Sequence, residues 1–396
     1  MSGAFVPILD RSIVITCGSG GVGKTTVAAS IALKAAQQGK RVLALTIDPA
    51  RRLADSMGVA LGNAPTSVPR EIQDSLGIPA HGDLSAMMLD TKSTFDTMVH
   101  ALAPSPEVEA QILANRYYQQ ISNSMVGSQE YMAMVKLVEV FDTRRFDLIV
   151  LDTPPSRHAL DFLKAPGRLQ AVLEEGALSW LMRSRGTFWR IGSGVAKQMK
   201  TVLSKMEQIL GLSVLADLSE FLTAFSDLMA GFREKAVRVQ ALLRAERTGF
   251  VLVASPDRTS LEEASFFYAQ LKEQGLPFLG FIVNRALPLD SLGATPQATS
   301  QLLHLGDEAW AALFPADPPP PLTPETWPAL IDKLQRRFKD IVTLADLDRE
   351  NLTELARSCP GPLGLIQLPE LPEDVHDLKA LQLLGDLLFT RQALIP

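Results

Sequence analysis

The chain has 396 residues, of which 46% are hydrophobic and 21% are charged, and this length permits a large buried core divided among two or three domains. A formal net charge of −6 excludes the basic surface that nucleic-acid binding requires, so neither DNA nor RNA is expected as a partner. The only two cysteines, Cys17 and Cys359, exclude a disulfide framework and a thiolate zinc site within the chain, which fits a cytoplasmic location.

The first functional motif is the segment from Gly18 to Thr25, which fits the phosphate-binding pattern G-x-x-x-x-G-K-[ST]. The apolar run Ile13–Cys17 before it predicts a buried parallel strand, and the alanine-rich residues 26–38 after it predict a helix that stops at Gly39. Strand, glycine loop and helix in this order direct backbone N–H groups and a helix N-terminus at a polyphosphate. The predicted nucleotide contacts are therefore Gly18, Gly20, Gly21, Val22, Gly23, Lys24, Thr25 and Thr26.

Two side chains of this loop have predicted chemical roles, and two carboxylates follow predicted strands. Lys24 would reach the β- and γ-phosphates, and the hydroxyl of Thr25 would ligate Mg²⁺. The second strand, 41–47, runs into Asp48, which lies where ligands bind in open α/β sheets or serves as a helix N-cap ahead of a proline. The apolar strand 146–152 closes on Asp152, which is typical of a Walker B carboxylate that holds Mg²⁺ through water.

Between these strands, residues 61–82 predict a loop with at most a short helix, and 84–89 predict a further strand. Residues 91–102 and 129–140 are predicted helices. Strand signals then vanish from 168 to 246, where an apolar stripe recurs at helical spacing. The stripe either packs on the main sheet or forms a docking groove for an apolar client, and its members are Leu215, Leu218, Leu222, Phe225, Met229 and Phe232.

The sheet pattern resumes after this helical segment. Strands are predicted at 249–254, 278–283 and 363–368, helices at 260–274, 325–358 and 375–391, and a loop at 286–297. Asn284, at a predicted strand end, could hydrogen-bond a base, and the absence of an NKxD motif favours adenine over guanine. The chain is thus predicted to be an α/β P-loop NTPase with a mostly parallel sheet. Its predicted parts are 1–167 and 247–396 for the ATPase core, 168–246 for a helical insertion, and a proline-rich loop near 315–324.

With these motifs in place, the chain resembles the arsenical-pump and tail-anchored-protein-targeting ATPase family, whose Walker A loop is deviant, and it looks like a bacterial-type member. The resemblance rests on the glycine loop, on Asp48-Pro49-Ala50, on Asp152-Thr153-Pro154-Pro155 and on Val283-Asn284. It implies that Asp48 positions or activates the attacking water, that Asp152 begins the second switch, and that Asn284 and Pro369 contact adenine. It also implies a dimer whose ATP sites lie near the two-fold axis.

The chain departs from the family pattern at Ser19, where members carry a signature lysine that reaches the partner's phosphates. Either a lysine-bearing homologue completes a heterodimer, or Arg51, Arg52 or Arg157 replaces the lost charge in a homodimer. The family's interfacial zinc is not expected because its CxxC motif is missing, and arsenite stimulation is not expected because three thiolates cannot be assembled. His158 either takes part in switching or is a packed or solvated histidine.

These observations predict an Mg²⁺-dependent ATPase that acts as a dimeric switch. Its helical segment is expected to couple the nucleotide state to the binding of an apolar client or a membrane-associated partner. Two alternatives stay open at this point. The chain could be the energising subunit of an anion efflux system, or a catalytically weak nucleotide-binding scaffold that works with a lysine-bearing homologue.

Overall fold

The computed structural model describes residues 8–47, 57, 61–116, 118–119, 122, 128–154, 228, 231–287, 296–315, 326–359, 364–371, 375 and 377–390. These residues form one sheet of eight strands with helices on both faces, so the predicted P-loop α/β fold is confirmed. Among the described helices, none is long and apolar enough to cross a membrane.

The sheet has the strand order β3-β4-β2-β5-β1-β6-β7-β8, and every described strand pair is parallel except β3 with β4. The strands are β1 (Ile13–Cys17), β2 (Arg41–Thr46), β3 (Thr66–Ser67), β4 (Asp83–Met88), β5 (Leu148–Asp152), β6 (Thr248–Ala254), β7 (Phe278–Ala286) and β8 (Leu365–Pro369). The first strand lies at the centre, between β5 and β6, with the strands β2 to β5 on one side of it and the strands β6 to β8 on the other. A crevice therefore opens at its carboxyl end, where ligands bind in this fold class.

The described helices cover both faces of this sheet. They are α1 (Lys24–Gln37), α2 (Arg70–Ser75), α3 (Thr91–Leu102), α4 (Pro106–Ala114), α5 (Ser128–Asp142), α6 (231–244), α7 (Arg258–Glu273), α8 (Pro296–Leu303), α9 (Asp307–Ala311), α10 (Trp327–Ser358) and α11 (Leu378–Thr390). Capping side chains define where three of these helices begin. Asp90, Ser105 and Asp257 each accept a hydrogen bond from a backbone N–H in the first turn of α3, α4 and α7, respectively.

Two hydrophobic cores follow from the alternation of side chains along buried strands. In β1, Ile13, Ile15 and Cys17 belong to the core on one face, whereas Val14 belongs to the core on the other. The first core is closed by α3 to α7 and the end of α10, and the second by α1 and α11. The central strands are buried on both sides, which explains their nearly continuous apolar sequences.

Three local predictions need correction. Residues 61–82 contain a short antiparallel strand, β3, besides the helix α2, because β3 pairs along the free edge of β4. The strand predicted at 278–283 ended three residues too early, because β7 continues through Ala286. A register shift with Arg285 at φ 61° allows Ala286 to pair with Pro369 of β8. The predicted loop 286–297 also includes the start of α8, which begins at Pro296.

The helical segment predicted at 168–246 is described only at residue 228 and from 231 onward, so most of its apolar stripe lies outside the described residues. Phe232, the last member of that stripe, is buried in the first core. Its ring stacks on Tyr131 at a centroid distance of 6.4 Å, and its carbonyl oxygen accepts the Tyr131 hydroxyl at 3.1 Å. At this position, the stripe packs on the core rather than forming an open groove.

Candidate active site

The glycine loop leaves β1 at the centre of the sheet and approaches the backbone of β6 closely. A β-carbon at Gly18 would lie 2.0 Å from the carbonyl oxygen of Val253. No side chain fits into that space, because real β-carbons essentially never come within 3.0 Å of another heavy atom. The first glycine of the motif is therefore required for the loop to pass the sheet edge.

We expect Gly18→Ala to destabilise the fold by about 2–4 kcal/mol, because the new methyl group must push against backbone rather than a side chain. Urea unfolding followed by circular dichroism measures this loss. Gly62→Ala is the matched control, since a β-carbon at Gly62 meets no atom within 4 Å, and its effect is expected within about 0.5 kcal/mol. Equal stabilities of the two variants would contradict this account of the loop.

The last glycine of the loop, Gly23, has φ 92° and precedes the first residue of α1. A β-carbon there would lie 2.4 Å from Nδ2 of Asn284. The same amide nitrogen donates to the carbonyl oxygen of Val22 at 3.0 Å. Asn284 is thus a buried residue of β7 that holds the phosphate loop, and its Oδ1 could accept a hydrogen bond from the amino group of a base.

Lys24 begins α1 and is buried apart from its tip, with 6% of its surface exposed. Its Nζ donates to the carbonyl oxygen of Ser19 at 2.7 Å, so the side chain folds back over the loop. An ammonium held against the loop is already close to the place where loop amides would bind a polyphosphate. The structure therefore places this cation at the loop to which the sequence assigned it.

The hydroxyl of Thr25 connects the loop to the neighbouring strand β5. It donates to Oδ2 of Asp152 at 2.7 Å, and the same oxygen accepts the hydroxyl of Thr46 at 3.1 Å. Asp152 is 1% exposed and pairs in register with Thr16 of β1 and Thr46 of β2. A hydroxyl beside a buried carboxylate is the donor set that Mg²⁺ prefers next to phosphates, so these residues fit the ion.

The thiol of Cys17 lies beneath the loop and stays protonated. Burial raises the pKa of Cys17 from 9.0 to about 12, and the hydrogen bond from Thr153 and the charge of Lys24 offset this only in part. Both described cysteines are buried and free of disulfides. Cys17 is therefore a packing residue and not a nucleophile at neutral pH.

Between about pH 9 and 12, folded Cys17 keeps its proton and unfolded Cys17 releases it, so rising pH favours unfolding. We expect wild-type protein to lose roughly 2–3 kcal/mol more stability than Cys17→Ala between pH 8 and 11. Urea unfolding of both proteins at the two pH values measures this difference. Parallel pH dependences would show that Cys17 is solvated in the native state.

Ser19, at the position of the family's signature lysine, contacts its own chain. Its hydroxyl lies 3.2 Å from the hydroxyl of Ser260, in the first turn of α7. Ser260 also accepts the backbone N–H of Ser255 at 3.0 Å, and its own N–H donates to the capping Asp257 at 2.9 Å. The loop is therefore tied to the β6–α7 turn, and this position supplies no cation.

The remaining predicted site residues are placed as follows. Gly20, Gly21, Thr26 and the half-buried Pro369 are described, and Pro369 ends β8 beside Ala286 of β7. Asp48, Arg51, Arg52, Arg157 and His158 lie outside the described residues. Within the described part of the chain, no cluster of three or more histidine, cysteine or acidic residues could hold a metal ion by itself.

The structure also adds residues that the sequence reasoning did not single out. Thr46 and Thr153 lie at strand ends beside Asp152, and the Thr153 hydroxyl donates to the carbonyl oxygen of Thr16 at 2.7 Å. A polar residue at the end of an apolar strand is a signal that could have indicated both. Ser260 had no such signal, because its contact with Ser19 joins residues 241 positions apart.

Comparisons with known proteins agree with this geometry. A family model described as "Anion-transporting ATPase" matches residues 11–297. The protein named "ATPase GET3" from Phaeosphaeria nodorum is 26% identical over 292 residues, which cover 71% of this chain and 79% of that protein.

Two further relatives show the same level of similarity. The "ATPase GET3" of Malassezia globosa is 25% identical over 284 residues, covering 71% of this chain and 75% of its own length. The "ATPase ASNA1 homolog 1" of Paramecium tetraurelia is 25% identical over 271 residues, covering 68% of this chain and 73% of its own length. The region matched by the family model, residues 11–297, includes the glycine loop, Asp152 and Asn284.

Proposed function

The chain belongs to the anion-transporting ATPase family and is an ATP-hydrolysing enzyme, and from this premise we propose that it is a dimeric switch. In this proposal, its nucleotide state controls the binding and release of an apolar protein segment in the cytosol. The observation that carries the ATP-dependent part is the 2.7 Å hydrogen bond from Thr25 to Asp152. That bond joins the residue that would ligate Mg²⁺ to the strand from which the second switch would begin.

We assign the binding of ATP to the loop amides, Lys24 and Thr25. Lys24 would leave the Ser19 carbonyl for the β- and γ-phosphates, exchanging a neutral acceptor for a charged one. The oxygen of Thr25 would face Mg²⁺ while its proton still points to Asp152, which would hold the ion through water. Mg²⁺, when bound, neutralises charge on the phosphate oxygens.

The proposed contacts to the base come from the neighbouring strands β7 and β8. Oδ1 of Asn284 would accept a hydrogen bond from the adenine amino group, while Nδ2 keeps its hydrogen bond to the carbonyl oxygen of Val22. One side chain would therefore position both the base and the loop. Pro369 would contact the ring from the end of β8, which is paired to the end of β7. Guanine offers an acceptor where adenine offers a donor, so this arrangement favours ATP.

Hydrolysis requires a water molecule in line with the γ-phosphorus. We assign the orientation of this water to Asp48, which comes two residues after the end of β2 in the sequence. The water oxygen bonds to phosphorus, the bond to the β-phosphate oxygen breaks, and ADP and inorganic phosphate leave. Lys24 and the loop amides stabilise the charge that develops on the transferred group.

We assign client binding to the earlier members of the apolar stripe, Leu215, Leu218, Leu222 and Phe225, since Phe232 at its end is buried in the core. This segment follows β5 in the sequence, so a movement of Asp152 when ATP binds or is hydrolysed would be transmitted to it along the chain. The test is the double variant Leu222→Asp with Phe225→Asp, which should lose binding of an apolar helical peptide while keeping its circular dichroism spectrum and ATP turnover. Unchanged peptide binding in the folded variant would refute this assignment.

A second candidate, a scaffold that binds ATP but needs a lysine-bearing homologue for efficient turnover, is favoured by one observation. The Ser19 hydroxyl faces Ser260 of its own chain and brings no positive charge to a partner's phosphates. Turnover of the purified chain, measured alone and with a lysine-bearing homologue, separates the two candidates. Turnover by the chain alone supports the autonomous switch, and turnover only in the mixture supports the scaffold.

A further inference from the structure

The C-terminal part of α10 lies against α7, the helix that follows β6. Leu352 and Leu355 of α10 are buried in the same core as Leu261 of α7. Beside these side chains, the Asn351 amide donates to the carbonyl oxygen of Pro256 at 3.1 Å. Pro256 belongs to the turn that joins β6 to α7, so this hydrogen bond connects α10 to the carboxyl edge of the sheet.

The β6–α7 turn is held together by its own hydrogen bonds, which fix the position of the Ser260 hydroxyl. The carboxylate of Asp257 accepts the N–H of Ser260 at 2.9 Å and the hydroxyl of Ser255 at 2.5 Å. The N–H of Ser255 donates to the hydroxyl oxygen of Ser260 at 3.0 Å. That hydroxyl lies 3.2 Å from the hydroxyl of Ser19 in the glycine loop. The position of this turn therefore sets the position of Ser19.

Ser19 in turn contacts the cation of the loop. Its carbonyl oxygen accepts the ammonium of Lys24 at 2.7 Å. A path of hydrogen bonds and short backbone steps thus runs from Asn351 of α10, through the β6–α7 turn and Ser19, to the side chain that the loop offers to phosphates. Every step of this path lies within the described part of the chain.

A second contact, one turn earlier in α10, reaches the other end of the glycine loop. Asp348 accepts the backbone N–H of Leu287 at 3.3 Å. Leu287 directly follows β7, whose Asn284 amide donates to the carbonyl oxygen of Val22 at 3.0 Å. Asp348 and Asn351 are three residues apart, so they lie on one face of the helix. One turn of α10 therefore contacts the two segments that hold the two ends of the loop.

We propose that Asn351 and Asp348 are positioning residues for the ATPase reaction. They act through the β6–α7 turn and through the end of β7, and they hold the glycine loop in the shape that binds phosphate. Loop amides and an ammonium that are ordered before the ligand arrives bind it more tightly, because less free energy is spent on ordering them. This role rests on the proposed function, in which the glycine loop and Lys24 bind the phosphates of ATP.

Asn351→Leu tests the contact with the turn. Leucine has the branched shape of asparagine and favours a helix, but it cannot donate to the carbonyl oxygen of Pro256. We expect the affinity for ATP with Mg²⁺, measured by isothermal titration, to fall about three- to tenfold, the equivalent of one hydrogen bond. Thr353→Ala is the matched control, because the Thr353 hydroxyl donates back to the carbonyl oxygen of Arg349 within α10 at 2.7 Å. An Asn351→Leu protein that folds and binds ATP as tightly as the control would overturn the proposal.

A double-variant cycle distinguishes positioning from a general loss of stability. Ser260→Ala interrupts the path at a later step than Asn351→Leu does. If both residues act through the same turn, the protein with both changes should bind ATP no more weakly than the weaker of the two single variants. Losses that multiply in the double variant would show that Asn351 acts independently of Ser260, and they would overturn the path.

The contact at Asp348 is tested by a pair of variants at that one position. Asp348→Ala removes the acceptor of the Leu287 N–H and should also weaken ATP binding about three- to tenfold. Asp348→Asn keeps an oxygen acceptor and should restore most of the affinity. Wild-type affinity in Asp348→Ala would overturn this second contact. The pair also provides a test if Asn351→Leu does not fold.

Lys24→Ala separates a failure of this role from a failure of the proposed function. If Lys24→Ala weakens ATP binding and the variants at Asn351 and Asp348 do not, the loop binds ATP and the positioning role is overturned. If Lys24→Ala binds ATP as tightly as wild type, the assignment of the phosphates to the loop is wrong, and the positioning role is overturned with it.

Discussion

Asp48→Asn is expected to reduce ATP turnover by about 10²–10⁴-fold while ATP binding stays close to that of wild type. An amide keeps the size of the side chain but cannot orient and activate water as a carboxylate does. Binding should survive because the proposed function assigns the phosphates to the loop, Lys24 and Thr25 rather than to Asp48. Steady-state phosphate release and equilibrium binding of a fluorescent ATP analogue measure the two quantities separately.

Asp90→Asn is the matched control for this change. Asp90 caps α3 by accepting the N–H of Ser93 at 3.0 Å, and asparagine caps helices equally well. The control should therefore keep both turnover and stability. Normal turnover in Asp48→Asn would refute its assignment as the water-orienting residue, and a joint loss of binding and turnover would indicate a role in ATP binding or in folding.

Lys24→Ala is expected to weaken ATP binding by roughly 10–100-fold, since charge-assisted hydrogen bonds to phosphate contribute about 1.5–3 kcal/mol. Turnover should become undetectable because the same cation stabilises the charge of the transferred phosphoryl group. Isothermal titration with ATP and Mg²⁺ measures the affinity. We expect a limited structural cost, because the ammonium donates to the backbone carbonyl oxygen of Ser19, a neutral acceptor in the loop.

Lys34→Ala serves as the control on the same helix. Lys34 pairs with Asp386 at 2.5 Å, on a partly exposed surface that faces α11 and not the loop. Its loss should change stability by less than about 1 kcal/mol and leave ATP affinity unaltered. Equal effects of the two alanine variants would show that Lys24 acts through folding and not through phosphate contacts.

Much of the fold could be predicted from the sequence because its central strands are short apolar runs that end in polar residues. Ile13–Cys17 and Leu148–Asp152 are buried along their whole length, and the signal for such strands does not depend on distant residues. The phosphate loop could be recognised from its own sequence pattern, although the close approaches that require Gly18 and Gly23 are to the distant residues Val253 and Asn284. Local rules were therefore sufficient for these elements.

The features that escaped prediction depend on contacts between distant parts of the chain. β3 exists because the edge of β4 accepts it, and the extension of β7 exists because β8 pairs with its end. The Ser19–Ser260 contact and the hydrogen bond from the backbone N–H of Leu287 to Asp348 of α10 are also set by tertiary packing. No periodicity in a single segment encodes these relationships.

The Asn284 side chain illustrates how the structure refines a sequence-based interpretation. Its position after an apolar run suggested a base contact, and the structure adds a bond to the Val22 carbonyl beneath the loop. One residue can thus link the occupancy of the base site to the conformation of the phosphate loop. This link would make adenine binding and phosphate binding mutually supportive.

The central claim is that the nucleotide state controls apolar binding, and the affinity for a labelled apolar helical peptide tests it most directly. We would measure it by fluorescence anisotropy for the nucleotide-free protein, the ADP-bound protein and Asp48→Asn held with ATP and Mg²⁺. The account predicts that affinity in the ATP-held state differs from the other two by about tenfold or more, and that the peptide changes ATP affinity by the same factor. Equal peptide affinities in all three states would contradict it.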